Sequence, residues 1–244
     1  MSGRRTNDRR CGPSRVVLCA VVSLLVLAAS TPAMTQTLPV EDATGSNVTP
    51  LPEPAKTGAV SVEQAIAQRR SIREFTDEQM TIKQLSQLLW AAQGITDEER
   101  FMRAAPSAGA KYPMEIFVVA GKVTWLGAGV YRYRPETHAL VIVKEGDVRE
   151  ALHEEALSQE WIKEAPVSIV ITGVYERTME KYGERGVRYV HIEVGAVAEN
   201  IYLQAESLGL GTTLVGAFSD QGVLDVLGVS GVAPLGIMPV GAPR

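Results

Sequence analysis

The chain has 244 residues, 45% of them hydrophobic and 21% charged, with 24 basic against 28 acidic side chains and a formal net charge of −4. That length suits one globular domain with appendages, and the acidic balance argues against a nucleic-acid partner. Two cysteines and three histidines supply neither a disulfide framework nor paired metal-ligand spacing, so any chemistry calls for a borrowed cofactor, with no metal.

The first 33 residues stand apart from the rest. Arg4, Arg5, Arg9, Arg10 and Arg15 precede an apolar run over 16–29, and Thr31-Pro32-Ala33 ends in a small residue. The pattern predicts a signal peptide or N-terminal anchor over 1–33, with the protein exported to the periplasm or beyond, or held at a membrane. Both cysteines, Cys11 and Cys19, fall inside it, and its loss would remove five arginines and one aspartate, taking the net charge from −4 to −8. Residues 34–59 carry Pro39, Pro50, Pro52 and Pro54 with no apolar period, and read as a flexible Pro/Thr-rich linker. One domain over 60–244 follows.

That domain opens on Ser61 and Gln64, spaced as a capping box, with Val62, Ala65 and Ile66 as a short buried stripe. The predicted helix ends in Arg69-Arg70-Ser71-Ile72-Arg73. Guanidiniums donate paired, permanently charged hydrogen bonds, which suits an anion site; a solvated basic helix end explains the same residues. Thr81 and Gln84 cap a second helix whose Leu85, Leu88, Leu89 and Ala92 fall on one face before Gly94 ends it. Over 105–113, two prolines, small residues and Gly109 make a tight loop, either an ordinary connection or backbone fit to press against a flat ligand.

Strands are predicted over 115–121, 129–134 and 138–144, a helix over 147–157, and a central, doubly covered strand over 167–174. The longest element is a helix over 187–208, whose Val194, Val197, Ala198, Ile201, Ala205 and Leu208 form a continuous apolar stripe. Its Glu193 and Asn200 lie two turns apart and read as polar groups satisfied across a helix interface, beside a Gly195 that permits close approach. A strand over 212–218, a helix over 220–227 and a strand over 235–240 complete the chain. Gly-x-Gly-x-x-Gly after a strand and Gly-x-Ser-x-Gly are both missing, which argues against a Rossmann dinucleotide site and a serine nucleophile.

In order and spacing, several of these stretches resemble the FMN-dependent nitroreductase superfamily, in the branch that includes the thiazole/oxazole-forming (azoline-oxidising) dehydrogenases. The resemblance rests on the arginine motif of 69–73, Ala105-Pro106-Ser107-Ala108-Gly109-Ala110, Tyr182-Gly183-Glu184-Arg185-Gly186, Glu193-x-Gly195, Asn200, Gly209-Leu210-Gly211 and Gly216-x-Phe218. It implies an α+β, nitroreductase-like fold: a mostly antiparallel sheet flanked by helices, with a long central dimerisation helix. It also implies FMN at the interface of a homodimer, NADH or NADPH as donor and a small-molecule substrate.

Carried over residue by residue, Arg69, Arg70, Ser71 and Arg73 would hold the flavin phosphate and ribityl chain. Pro106, Ser107, Ala108, Gly109 and Ala110 would line the ring, and Val215, Gly216 and Ala217 would meet it from the other side. Arg244 would close the phosphate site. Ala110 stands where many relatives carry Asn, so backbone groups must replace that contact. The implied function passes a hydride or electrons to an acceptor such as a nitro or quinone compound. The alternatives are oxidation of a peptide azoline, in which Lys111-Tyr112 or Lys181-Tyr182 would serve as acid and base, and a flavin-binding protein with little turnover. No catalytic residue is assigned from the sequence.

Overall fold

The structure, a computed structural model, describes residues 47–244. The predicted leader and residues 34–46 of the predicted linker lie outside the described residues. Two helix starts follow from side-chain chemistry. Helix α1 (Val62–Gln68) and helix α2 (Ile82–Gln93) each open on a complete capping box, Ser61 with Gln64 and Thr81 with Gln84. Each box satisfies amide donors that a helix start otherwise leaves unpaired. α2 buries Leu85, Leu88, Leu89 and Ala92, whereas α1 buries only Ala65 and leaves Val62 and Ile66 exposed. The short helix therefore acts as a ramp that delivers the arginine motif.

Beyond α2 a hairpin, β2 (Ile95–Asp97) with β3 (Met102–Arg103), stands alone. Strands β1 (Val48–Pro50), β4 (Met114–Ala120), β5 (Gly129–Arg134), β6 (Ala139–Glu145), β7 (Val167–Gly173), β8 (Gly211–Thr212) and β9 (Ala233–Gly241) form one antiparallel sheet in the order β1-β6-β5-β4-β7-β9-β8. Helices α3 (Arg149–Glu155), α4 (Trp161–Glu164), α5 (Tyr175–Tyr182), α6 (Arg185–Ser207) and α7 (Asp220–Leu227) complete the chain.

Alternation along the central strands divides the core between the two faces. Ile116 and Val118 of β4 and Ile169 and Ile171 of β7 pack with α2 and with Val190, Val197 and Ile201 of α6. Phe117, Val119 and Val170 pack on the other face with Leu152 of α3, Ile162 of α4 and Val223 and Leu227 of α7. All seven residues of β7 are buried and paired on both sides, by β4 and β9, as a central covered strand requires. The α+β architecture read from the sequence, a mostly antiparallel sheet flanked by helices with one long helix, is the one observed.

Three expectations need correction. The linker does not run free to Ala59: Val48–Pro50 pair with β6, Leu51 is buried, and the Ala55 backbone exchanges two hydrogen bonds with the Gln87 amide. Proline cannot donate to a ladder, but an edge strand tolerates it, so the Pro-rich composition hid a strand. The strand read over 212–218 stops at Thr212, because the Leu214 N–H turns to the Tyr202 hydroxyl and only Val215 rejoins β9, through Ile237. Helix α5 was not read at all; its mean hydropathy is low, and its burial is carried by Thr178 rather than an apolar stripe.

The edge is fastened by a buried polar cluster. His138 Nε2 lies 2.7 Å from Ser86 Oγ and 3.0 Å from the Pro52 carbonyl, and Nδ1 lies 2.9 Å from the Tyr133 hydroxyl. Burial pushes the His138 imidazole below its ordinary value, only partly offset by the Pro52 carbonyl. A depressed histidine favours folding above its unfolded value, and that contribution is lost as pH falls. Urea unfolding should therefore show stability declining as pH drops below about 6.5, with the decline flattened in His138→Gln. Equal pH slopes in the two proteins would contradict this.

Candidate functional site

The arginine motif leaves the C-terminal end of α1 and runs beside β8. Ser71 bridges Thr212, and the Ile72 N–H donates to the Thr212 carbonyl at 2.9 Å. The contact demands glycine at 211, where a Cβ would stand 2.7 Å from Ile72 side-chain atoms. Tyr202 on α6 ties the assembly together: its hydroxyl accepts the Leu214 N–H at 2.7 Å and lies 3.3 Å from Ser71 Oγ. The Arg69 guanidinium sits 4.9 Å over the Tyr202 ring, with the Glu199 carboxylate at the 4.0 Å limit of an ion pair.

Arg73 lies 5.6 Å from the Trp161 ring, and the nearby Gln159 amide donates to the Ala217 carbonyl at 3.1 Å. The structure thus gathers Arg69, Ser71, Arg73 and the 215–217 backbone around Tyr202 and the 159–161 turn. Arg70 is turned aside, donating to the Ala67 and Arg69 carbonyls at 3.1 and 2.7 Å. Arg244 donates to the Phe75 carbonyl at 3.0 Å, two residues past Arg73. Arg103, Arg132, Arg149 and Arg177 each hold a carboxylate within 2.8 Å. Among the described residues, Arg70 and Arg73 hold none, and the Trp161 indole N–H is buried without an acceptor. This donor set suits an oxyanion such as a phosphate ester.

The 106–110 loop is built differently. Gly109, Ala110 and Tyr112 adopt φ of 61°, 53° and 45°. The two non-glycine residues there cost about 1–2 kcal/mol each. What holds them is Glu193 of α6, 6% exposed, whose Oε1 accepts the Ala108 N–H at 2.8 Å. The Ser107 hydroxyl, which favours the charged form of this carboxylate, accepts the Tyr112 N–H at 2.8 Å. Asn200, by contrast, donates to the Ala91 carbonyl of α2 at 3.0 Å, so of the two polar residues only Asn200 meets the helix interface expected for both.

Of the two Lys-Tyr pairs, Lys181-Tyr182 lies against the loop: a Cβ on Gly109 would stand 2.6 Å from the Tyr182 hydroxyl and 2.8 Å from Lys181 Nζ. Lys111 is instead ion-paired with Glu180 at 2.7 Å. Tyr202, Trp161 and Glu193's grip on the loop were not read as functional. Single aromatic and acidic residues on a helix carry no spacing signal of their own.

Within one chain the two halves are anchored on different flanks of α6. Glu193 and Tyr202 are nine residues apart, and at about 100° and 1.5 Å per residue they lie on opposite flanks of α6, about 13 Å apart along its axis. The stripe between them, Arg188, Ile192, Gly195 and Glu199, is exposed.

An antiparallel sheet between two helical layers, with an anion-suited cluster at one flank of its longest helix, defines the α+β class of the chain. The chain belongs to the nitroreductase family, whose model matches residues 66–242. It is 46% identical over 182 residues to a provisionally named nitroreductase of Methanocaldococcus jannaschii, covering 75% of this chain and 91% of that protein. It is 27% identical over 163 residues to the microcin B17-processing protein McbC of Escherichia coli, spanning 64% of this chain and 60% of McbC. Among solved structures, a provisionally named nitroreductase of Ralstonia eutropha superposes with a TM-score of 0.73 at 28% identity, over 82% of this chain and 91% of that one.

Burial pushes the Glu193 carboxyl above its ordinary value, and the Ala108 and Ser107 hydrogen bonds pull it only partly back. A raised carboxyl favours folding below its unfolded value and costs stability as pH rises through the folded one. Glu193→Gln should therefore gain stability over the wild type at pH 7, with the gap closing as pH falls toward about 4.3. Thermal unfolding at the two pH values checks this; a gap that widens on acidification would contradict it.

Proposed function

We propose that the protein is an FMN-dependent oxidoreductase that takes reducing equivalents from NADH or NADPH and passes them to a small acceptor such as a nitro or quinone compound. The observation that carries the reading is Arg73, which holds no carboxylate, beside Arg69, Ser71 and the 215–217 backbone. In an acidic chain, guanidiniums left without carboxylates create a local positive field suited to a phosphate dianion. In this reading Arg69, Ser71 and Arg73 hold the phosphate, the buried Trp161 N–H and Arg244 flank it, and the 215–217 backbone and the 106–110 loop face the ring. Bound FMN supplies the hydride and electron chemistry; the chain supplies position, charge and exclusion of water.

The same geometry favours a homodimer. A second α6 crossing on the exposed stripe, with Gly195 allowing close approach, carries its own 106–110 loop toward the first chain's arginine motif. Each site is then composite, with arginines from one chain and the ring-facing loop from the other.

A second reading has its own observation. Lys181 and Tyr182 sit against the loop beside the ring position, where an amine and a phenol suit proton transfer during oxidation of an azoline on a peptide. Similarity to McbC, whose name assigns it to microcin processing, favours the same reading.

Titrating FMN and riboflavin into flavin-free wild type and Arg73→Ala tests the phosphate assignment. Arg73→Ala should weaken FMN about tenfold to a hundredfold and leave riboflavin, which lacks the phosphate, unchanged. Equal FMN affinities would remove Arg73 from the site. Anaerobic NADH or NADPH should bleach the flavin band of the holoprotein; a band that persists would contradict the reductase reading and leave azoline oxidation or flavin binding with little turnover.

A further inference from the structure

We propose that Glu193 is the positioning residue for the ring-facing loop: its carboxylate, fixed on α6, holds 107–112 in the left-handed shape that meets the flavin. This rests on the flavin reading above. The loop's own backbone-to-backbone hydrogen bonds are few and long: the Ala110 N–H reaches the Ser107 carbonyl at 3.1 Å, and the Lys111 N–H reaches the Ala108 carbonyl at 3.4 Å. Neither bond fixes the positive φ of Gly109, Ala110 and Tyr112. A residue in that region persists when its surroundings over-determine it. From α6, the surroundings hold it through Glu193.

Glu193 accepts the Ala108 N–H directly, and the Ser107 hydroxyl, next in the chain, accepts the Tyr112 N–H. The carboxylate thereby pins the start of the strained stretch, and Ser107 closes it. From the far side, Arg177 on α5 donates to the Tyr112 carbonyl at 3.1 Å and is held by Glu115. Lys181 and Tyr182, on the same helix, lie against Gly109. The loop is thus clamped between α6 and α5, and Gly109 and Ala110 remain exposed at its tip.

A purely structural role fits Glu193 poorly. Among the described residues no cation pairs with it, and its partners are loop groups. Burying an unpaired carboxylate costs stability that an apolar residue at this position would avoid. An acceptor placed to receive the Ala108 N–H at the start of the strained stretch accounts for that cost.

The test uses the full chain freed of flavin, in wild type, Glu193→Ala and Glu193→Gln forms. FMN and riboflavin affinities are measured by fluorescence, and backbone exchange by mass spectrometry. Because the loop meets the ring and not the phosphate, Glu193→Ala should weaken FMN and riboflavin alike, by about tenfold. Exchange should rise over 107–112 and stay unchanged in β4 and β7. Glu193→Gln keeps an acceptor for the Ala108 N–H and should restore most of the affinity. Wild-type affinity for riboflavin in Glu193→Ala would overturn the inference while leaving the flavin reading standing. So would a Gln variant as weak as Ala, with exchange raised throughout the domain. Wild type that binds neither flavin would overturn both.

Discussion

The structure turns on the helical phase between two residues of α6. Glu193 and Tyr202 sit at the two margins of the helix's buried arc, one gripping the 106–110 loop and the other gripping the arginine motif and Leu214. Helical geometry fixes them on opposite flanks, so a single chain offers two half-sites facing different ways. Between the flanks runs the exposed stripe of Ile192, Gly195 and Glu199, which a second copy of the same helix can cover. The packing of α6 thus fixes both the fold and the placement of the two clusters.

The two halves use different physics. The arginine side is electrostatic: Arg69 stacks on Tyr202 with Glu199 only at the 4.0 Å limit, and Arg73 stacks on Trp161 with no carboxylate partner, so their charge stays available for a ligand. Stacking on aromatic faces orients a guanidinium without neutralising it. The loop side is conformational. It spends backbone strain to present Gly109 and Ala110, and a buried carboxylate that is itself costly keeps the strain in place. Sites commonly hold such locally unfavourable features where the surrounding fold can carry them.

Much of this was legible in the sequence because it depended on local rules. The capping boxes at Ser61 and Thr81, the apolar period of α2 and α6, and the central strand over 167–173 follow from spacing alone. The arginine motif and the Pro-Ser-Ala-Gly loop stood out as compositions with chemical meaning. What stayed hidden depended on tertiary partners. Val48–Pro50 looked like tether because proline masks an edge strand, and Glu193 looked like an interface group because nothing in its neighbourhood names the loop 85 residues earlier. Tyr202 gave no signal, since a lone tyrosine on a helix is ordinary until Leu214 and Ser71 converge on it.

Subunit complementation tests the composite site most directly. An Arg73→Ala chain, with its loop intact, is combined with a Gly109→Val chain, in which the left-handed turn is blocked but the arginines remain. The mixed dimer is isolated with two affinity tags. If arginines and loop come from different chains, the mixed dimer regains one intact site and binds one FMN tightly, while either variant alone binds weakly. A mixed dimer that binds no better than its parents would contradict the composite site and place both halves within a single chain.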